Sequence, residues 1–332
     1  MYESYYSFSG MPFQLTPDSR FYFGSRQHSK AMAFLQYGLS QREGFVVVTG
    51  EIGAGKTTLV EQLLATLDSR EYVAARVVTT QLDGYDTLCM IGAAFGVYRE
   101  GMDKAALIAR LGQFFTETHA QQKHPLVIID EAQSLTLEAV EELRMLSNLT
   151  LGSRAPFQGI FLGQPEFRVA LATPELQQLR QRVVASCHLG ALNAEDSRNY
   201  IEHRLKLVGW TDDPGVSDGA FEEIYRHTGG IPRRINTLFS RLLLLGYIEE
   251  RHAIDAPSVV SVAQEIADEL GPAGTLRSQP QSQSDAPLGA GSANGEYLSR
   301  LVNLERRSAK HDRAIMRVLD LALKYLPAQS AS

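Results

Sequence analysis

The first part of the chain alternates between short apolar runs and longer stretches in which apolar residues recur at helical spacing. A short, bounded apolar run is typical of a strand buried on both faces, and the 3.6-residue repeat is typical of an amphipathic helix. The predicted strands are Phe45–Thr49, Val73–Val78, Leu126–Asp130, Phe157–Gly163 and Ala185–Leu192. The predicted helices are His28–Leu39, Thr58–Leu67, Asp86–Phe95, Lys104–His119 and Leu135–Leu149. This alternation predicts an α/β domain over residues 1–192, with a parallel sheet flanked by helices.

From Asn193 the pattern changes to helices only. Asn193 is a candidate N-cap, and the acids Glu195 and Asp196 suit the first turn of a helix. The predicted helices here are Glu195–Val208, Ser217–Thr228, Ile231–Glu250 and Ala256–Glu269. We therefore predict a separate all-helical domain over residues 193–270.

The C-terminal part has a different composition. Residues 271–295 are rich in Gly, Pro, Ser, Gln and Ala, which predicts a flexible linker. A final helix is predicted over 296–326, with apolar patches at both ends of a polar centre at Ser308–Asp312. A self-associating or partner-docking helix fits this pattern. Interleaved Arg and Lys also leave peripheral membrane contact open, and a solvated tail helix is the third alternative.

The first 30 residues are rich in aromatic and turn-forming residues, among them Phe8, Phe13 and Phe21. Two interpretations are open, and they are compatible. The aromatic residues fill the core, or the segment covers a nucleotide base, since adenine needs an apolar wall.

The segment between the first strand and the next helix reads G-x-x-x-x-G-K-T, the P-loop pattern. Its glycines let backbone N–H groups turn toward an anion, and the following helix N-terminus adds partial positive charge. The lysine is expected to reach the β- and γ-phosphates of ATP, and the first threonine to hold Mg²⁺. The flanking strand and helix argue against an ordinary glycine-rich turn. The predicted nucleotide-binding residues are Gly50, Glu51, Ile52, Gly53, Ala54, Gly55, Lys56, Thr57 and Thr58.

The third strand ends in two acids, Asp130 and Glu131, as a Walker B strand does. Asp130 is expected to bind Mg²⁺ together with Thr57, and Glu131 to polarise the attacking water as a general base. The alternative is a buried strand that merely ends in two acids, and the P-loop upstream makes the Walker B interpretation the better one.

Four further residues are candidates for catalysis. Gln164 follows the strand expected beside Walker B, where it can position water or sense the γ-phosphate; the alternative is a turn residue before a proline. Arg180 or Arg182 can stabilise phosphoryl charge in a neighbouring subunit, or they form a solvated pair at a helix end. Arg233, near a Pro-initiated helix start, can point back at the nucleotide as a second sensor, or it is a surface arginine.

Composition narrows the function classes. The chain has 332 residues, 44% of them hydrophobic, which is enough for two domains and a tail. A net charge of −6 argues against a dominant nucleic-acid surface. Two distant cysteines indicate neither a disulfide framework nor a metal site. No signal peptide or membrane span is recognisable, so we expect a soluble, cytoplasmic protein.

Several segments occur together with the P-loop and Asp-Glu-Ala-Gln: Gly163–Glu166, Leu179–Arg182, Tyr200–Leu205 and Gly229–Asn236. In this combination the chain resembles the general secretion pathway protein A (ExeA-type) AAA+ ATPases over roughly residues 1–270. More narrowly, it is similar to the exosortase/PEP-CTERM system-associated ATPases. The resemblance implies an AAA+ core with a helical lid, ATP hydrolysis, and ring or oligomer formation. It also implies work on envelope secretion or exopolysaccharide export.

The expected function is therefore an oligomeric Mg-ATP-dependent ATPase that drives or regulates assembly of an envelope export system. One rival is a DNA-associated ATPase of the transposition-helper or origin-binding kind. It needs a DNA-binding module after the lid, and the linker and mixed-charge helix there argue against it. The other rival is a scaffold that binds ATP and barely turns it over, against which Glu131 argues.

Overall fold

A computed structural model of the chain describes residues 1–16, 18–78, 83–149 and 155–270. In this part of the chain, one sheet of five parallel strands has the order β2-β3-β4-β1-β5. The strands are β1 (Phe45–Gly50), β2 (Tyr72–Val78), β3 (His124–Asp130), β4 (Gln158–Gly163) and β5 (Val183–Leu189). The predicted α/β class and the predicted strands are confirmed, with ends that differ by a few residues.

The sheet is covered on both faces because its central strands are apolar on both sides. Within β1, Phe45 and Val47 join one buried cluster, and Val46 and Val48 join the other, since successive side chains alternate. Helices α4 to α7 pack on the first face and α2 and α3 on the second. These helices are α2 (Arg26–Ser40), α3 (Lys56–Thr66), α4 (Gly84–Ala94), α5 (Lys104–Ala120), α6 (Leu137–Ser147) and α7 (Pro165–Leu171).

The connection into β5 differs from the sequence-based prediction. A short helix, α8 (Gln177–Arg180), ends at Arg180. Arg182 lies beyond this helix. Its backbone carbonyl accepts the backbone N–H of Phe45 at 2.8 Å, at the amino end of β1. The two arginines therefore do not form a pair on one helix end.

The last described part is mainly helical. Its helices are α9 (Ala194–Leu207), α10 (Asp218–Thr228), α11 (Pro232–Ile248) and α12 (Ala256–Leu270). The prediction of helices only was wrong, because Gly215–Val216 (β6) and Ala253–Ile254 (β7) form a small parallel pair. Two-residue strands are too short to show an alternating pattern in the sequence.

The N-terminal segment packs against these helices rather than against the sheet. It begins with a short helix, α1 (Tyr2–Tyr5). Phe13 contacts Phe239 of α11 with ring centroids 4.5 Å apart, and Tyr6 Oη donates to the Arg251 carbonyl at 2.9 Å. The segment thus fills the core of the helical part, although the sequence analysis had grouped it with residues 1–192.

The predicted linker (271–295) and final helix (296–326) lie outside the described residues. Among the helices that are described, none combines the length and apolar character that crossing a membrane requires.

Candidate functional site

The P-loop joins the carboxyl end of β1 to the start of α3. Gly53 and Gly55 have φ of 81° and 99°, values in the left-handed region that glycine adopts without strain. Lys56 is the first residue of α3 and is buried; its Nζ donates to the carbonyls of Gly50 at 2.7 Å and Glu51 at 3.0 Å. The Lys56 side chain therefore folds back over the loop, from the end of the loop to its start.

Both loop glycines are also in close contact with other elements. A Cβ at Gly53 would overlap the side chain of Arg233, and one at Gly55 would lie 2.7 Å from His28 Nε2. The loop is consequently confined between α2 on one side and the start of α11 on the other.

Thr57 and Asp130 come together as the motif predicts. Thr57 Oγ1 donates to Asp130 Oδ2 over 3.3 Å, and the two residues belong to different elements, α3 and β3. Hydroxyl and carboxylate oxygens are the ligands that Mg²⁺ prefers, so this donor set fits the ion. Arg76 of β2 also donates to Asp130 Oδ2, at 2.7 Å, and reaches Glu61 of α3 at 3.3 Å.

Glu131 is held by two glutamine amides. Its Oε2 accepts from Gln133 Nε2 at 2.5 Å and from Gln164 Nε2 at 3.2 Å. The Gln133 Oε1 in turn accepts the backbone N–H of Gln164 at 3.0 Å. This network exists because β4 lies next to β3 in the sheet, as the sequence analysis expected for Gln164.

The start of α11 contacts the loop directly. The backbone N–H of Arg233 donates to the Gly53 carbonyl at 3.2 Å. Arg233 and Pro232 line a cavity of about 300 Å³ together with Lys56, Thr57 and Glu131. The structure therefore brings Arg233 to the same place as the P-loop, from the helical part of the chain.

The other end of this cavity is built by the N-terminal segment and the helical part. Phe21, Tyr22 and Phe23 line it, together with Tyr200 and Arg204 of α9. The buried Arg204 guanidinium lies 4.6 Å from the centre of the Phe21 ring and donates to Tyr200 Oη at 2.7 Å. An aromatic wall beside hydrogen-bonding groups suits a nucleotide base, so the cover of a base stays a prediction for this segment, beside its observed place in the core.

Charge in the cavity centres on Lys56. Burial lowers the pKa of its ammonium group, and the nearby carboxylates of Glu131 and Asp130 act in the opposite direction. The lysine ammonium group thus lies near the acids that are predicted to handle metal and water.

Arg180 and Arg182 are absent from the described residues that line the cavity. Arg180 is exposed, and its guanidinium donates to the Ala172 carbonyl at 3.3 Å. Arg182 donates to the Ser147 carbonyl at 3.1 Å and to Asn148 Oδ1, at the end of α6. The structure therefore separates these two arginines from the residues that it brings together.

Sequence reasoning missed four residues at the site: Arg76, Gln133, His28 and Arg204. Gln133 lies within the Asp-Glu-Ala-Gln segment, only two residues after Glu131, so this motif could have predicted it as a site residue. Arg76 is the single charged residue of strand β2, whereas Arg204 is one of several charged residues in helix α9. A lone charge within an apolar strand is a usable signal, whereas Arg204 and His28 have none in a single sequence.

A parallel sheet flanked by helices, a P-loop and a helical part define the AAA class of P-loop NTPase folds. Residues 39–171 match the family described as "AAA domain". Over 268 residues, 80% of this chain, the sequence is 32% identical to general secretion pathway protein A of Aeromonas hydrophila. The chain spans about half, 49%, of the length of that relative.

Solved structures of the same class confirm the fold. Cdc6p from Pyrobaculum aerophilum superposes with a TM-score of 0.61 at 14% identity, over 77% of this chain and 73% of that one. The Aeropyrum pernix ORC2 protein gives 0.57 at 17% identity, over 75% and 72%. At these identities the likeness concerns the fold alone.

Proposed function

We propose that this chain is an ATPase that binds Mg-ATP in the cavity between the P-loop and α11 and hydrolyses it. One observation carries the proposal: a single cavity collects Lys56 and Thr57 from α3, Glu131 from the end of β3 and Arg233 from α11. A cation, a hydroxyl, a carboxylate and a second cation at one place are the groups that phosphoryl transfer needs.

Each residue has a role that follows from its chemistry. The loop N–H groups and Lys56 bind the phosphates, and Arg233 neutralises charge from the opposite side of the cavity. Thr57 and Asp130 would hold Mg²⁺, which supplies positive charge against the phosphate oxygens when bound. Phe21, Tyr22 and Phe23 enclose the base.

Hydrolysis requires water to lose a proton as it attacks the γ-phosphorus. The new P–O bond forms as the bond between the γ-phosphorus and the β,γ-bridging oxygen breaks, which yields ADP and inorganic phosphate. Glu131 accepts the proton from the water and then releases it to solvent. Gln133 and Gln164 fix the direction of that carboxylate, and in this proposal Gln164 also contacts the water or the γ-phosphate.

The cellular role that we propose is assembly or regulation of an envelope secretion or polysaccharide export system, by a homo-oligomer. The similarity to general secretion pathway protein A supports it. The DNA-associated alternative has only a shared fold in its favour, and the net charge of −6 is against it. Salt-dependent binding of duplex DNA by the purified chain would support the alternative.

Three variants test the ATPase assignment. Lys56→Ala should lose most ATP affinity, because it removes the cation facing the phosphates. Glu131→Gln should bind Mg-ATP as the wild type does and lose about 10²–10⁴ in turnover, since an amide cannot accept the proton. Asp130→Asn should weaken Mg²⁺ binding, which Glu131→Gln should not. ATP and Mg²⁺ affinities and steady-state turnover are measured side by side.

Two outcomes would contradict the assignment. Wild-type ATP binding by folded Lys56→Ala protein removes the P-loop function, and wild-type turnover by Glu131→Gln removes the general base. A wild-type chain that binds ATP without measurable turnover would instead favour the nucleotide-gated scaffold.

A further inference from the structure

A histidine outside the predicted motifs contacts the phosphate-binding loop. His28 lies in the first turn of α2, the helix before β1, and it is 6% exposed. It lines the same cavity as Lys56 and Thr57. A buried imidazole can be an ordinary core residue, so its contacts decide what it does.

Ser25, the N-cap residue of α2, fixes one edge of the ring. Its Oγ lies 2.8 Å from His28 Nδ1, and it also accepts the His28 backbone N–H at 3.3 Å. A serine hydroxyl can both donate and accept, so this contact fixes the orientation of the ring, and a neutral ring that donates from Nε2 accepts the serine proton at Nδ1. Ser25 is 2% exposed, so solvent does not compete for this contact.

The opposite edge of the ring faces the loop. His28 Nε2 lies 2.7 Å from the position that a Cβ would take at Gly55, so this edge of the ring is in contact with the loop. Gly55 has φ of 99° and immediately precedes Lys56, the first residue of α3. His28 therefore contacts the loop where its backbone turns into the helix that carries the phosphate-binding lysine.

The environment favours the neutral ring. Burial lowers the pKa of His28, while the hydrogen bond with Ala54 and the charge of Asp196 act in the opposite direction. A neutral ring has one acceptor edge, used by Ser25, and one donor edge, directed at the loop. Both edges are thus engaged, and they connect the cap of α2 to the P-loop.

We propose that His28 is a positioning residue of the phosphate-binding loop. Its Nε2–H, oriented by Ser25, holds the Ala54–Gly55 backbone in the curl that ATP phosphates require. This inference rests on the proposed function, because it takes the loop to be an ATP site. It gives the segment before β1 a part in phosphate binding, in addition to its contact with the base.

Asn and Gln substitutions separate the two edges of the ring. An Asn amide at position 28 reaches the place of Nδ1, so it meets Ser25 and stops short of the loop. A Gln amide reaches the place of Nε2 and keeps a donor there. We expect His28→Asn to weaken Mg-ATP binding about tenfold, and His28→Gln to stay within about threefold of the wild type.

Calorimetric titration with Mg-ATP and thermal unfolding without nucleotide measure the two effects separately. In steady-state turnover, His28→Asn should raise KM about tenfold and leave kcat within about twofold, since the loop binds ground state and transition state alike. A residue that serves packing alone would lower the unfolding midpoint and leave this split between the Asn and Gln variants absent.

A pair of serine variants provides the matched control. Ser217 caps α10 through the backbone N–H of Ala220, as Ser25 caps α2 through that of His28. Ser25→Ala and Ser217→Ala should lower the unfolding midpoint by similar amounts, because each loses a helix cap. Only Ser25→Ala, which frees the ring edge, should weaken Mg-ATP binding.

Wild-type affinity in His28→Asn, or equal loss in the Asn and Gln variants, would overturn the proposal. If a position-28 variant does not fold, equal ATP affinity in Ser25→Ala and Ser217→Ala overturns it instead. Failure of the proposed function looks different, because the wild-type protein itself then shows no ATP binding that Lys56→Ala abolishes.

Discussion

Glu131 combines an unusual backbone with a firmly held carboxylate. Its φ of 55° and ψ of 42° place it in the left-handed region, which costs a non-glycine residue on the order of 1–2 kcal/mol. Its backbone N–H donates to Asp130 Oδ1 at 3.0 Å, and Gln133 and Gln164 hold its side chain. Asp130 therefore fixes the backbone of the turn, and the two glutamines aim the predicted base.

Gln133 offers a test of this arrangement at the level of one side chain. Gln133→Ala removes the amide that donates to Glu131 at 2.5 Å and accepts from the Gln164 backbone. We expect turnover to fall about 10- to 100-fold, the worth of a hydrogen bond to a charged group, with ATP affinity unchanged. Single-turnover hydrolysis and ATP titration measure the two quantities.

Gln113→Ala is the control, because the Gln113 amide also donates to a carboxylate, that of Glu117 at 2.7 Å, on the exposed face of α5. It should leave turnover unchanged. Equal turnover in the Gln133→Ala and wild-type proteins would show that Gln164 and the backbone suffice to aim Glu131.

The sequence could predict those site residues that belong to a short motif of neighbouring residues. Lys56 and Thr57 follow from the P-loop pattern, and Asp130 follows from a strand that ends in two acids. The Arg76–Asp130 pair was not predictable, because it depends on β2 lying beside β3, and strand order is not written in the local pattern. The His28 contact depends similarly on how α2 packs under the loop.

At the level of elements, the loop and the start of α11 determine each other's position. The Gly53 carbonyl accepts the N–H of Arg233, and a Cβ at position 53 would overlap the Arg233 Cβ. Any side chain at position 53 has to displace α11 or distort the loop. The contact therefore links phosphate binding to the placement of the helical part.

Gly53→Ala and Gly96→Ala form a matched pair for this contact. Gly96 has φ of 72° and nothing within 4 Å of a Cβ built on it, so it reports backbone strain alone. Each substitution should cost about 1 kcal/mol in unfolding free energy from the positive φ. Only Gly53→Ala should also lose ATP affinity, by about tenfold or more, because Arg233 is displaced.

Denaturant unfolding and ATP titration of both variants provide the comparison. If Gly53→Ala binds ATP as tightly as Gly96→Ala does, the contact between the loop and α11 is not needed for binding.

Long elements were predicted well and short ones poorly. The strands and long helices have continuous apolar patterns, and their predicted ends lie within a few residues of the observed ones. The β6–β7 pair was missed because two-residue strands show no alternation, and α7 was missed because its start at Pro165 also fits a turn. The N-terminal aromatic residues were grouped with the wrong domain. The sequence shows that Phe13 is apolar, but it does not show that Phe13 packs against Phe239.

At the level of the whole molecule, Arg180 and Arg182 lie at the edge of the sheet opposite the P-loop. The P-loop follows the carboxyl end of β1, whereas Arg182 precedes the parallel strand β5. The seven residues of β5 span about 20 Å, more than an arginine side chain reaches. A catalytic role for either arginine therefore requires a neighbouring subunit.

The exposed Arg180 is the better candidate for that role, because Arg182 is tied to Ser147 and Asn148. Arg180→Ala should keep ATP binding and lose about 10³-fold or more in hydrolysis, if it stabilises phosphoryl charge in a neighbour. Arg182→Ala should mainly lower the unfolding midpoint. Nucleotide titration, turnover and thermal unfolding of both variants are the measurements.

Mixing subunits tests the arrangement in trans. Arg180→Ala and Glu131→Gln subunits, each inactive alone, should regain part of the activity in mixed oligomers, because one interface then has both intact residues. Mixed oligomers that form and stay inactive would argue against an arginine supplied by the neighbour.

The attachment of the first residues to the last helices has a consequence for synthesis on the ribosome. Phe13 and Tyr6 are made before Ser240 and Arg251, the residues they bond to, which lie 227 and 245 residues later in the chain. At 5–20 residues per second, the aromatic segment waits on the order of 10–50 s before its binding surface emerges. During that interval its apolar rings are available to chaperones, and the helical part completes its core only when synthesis is well advanced.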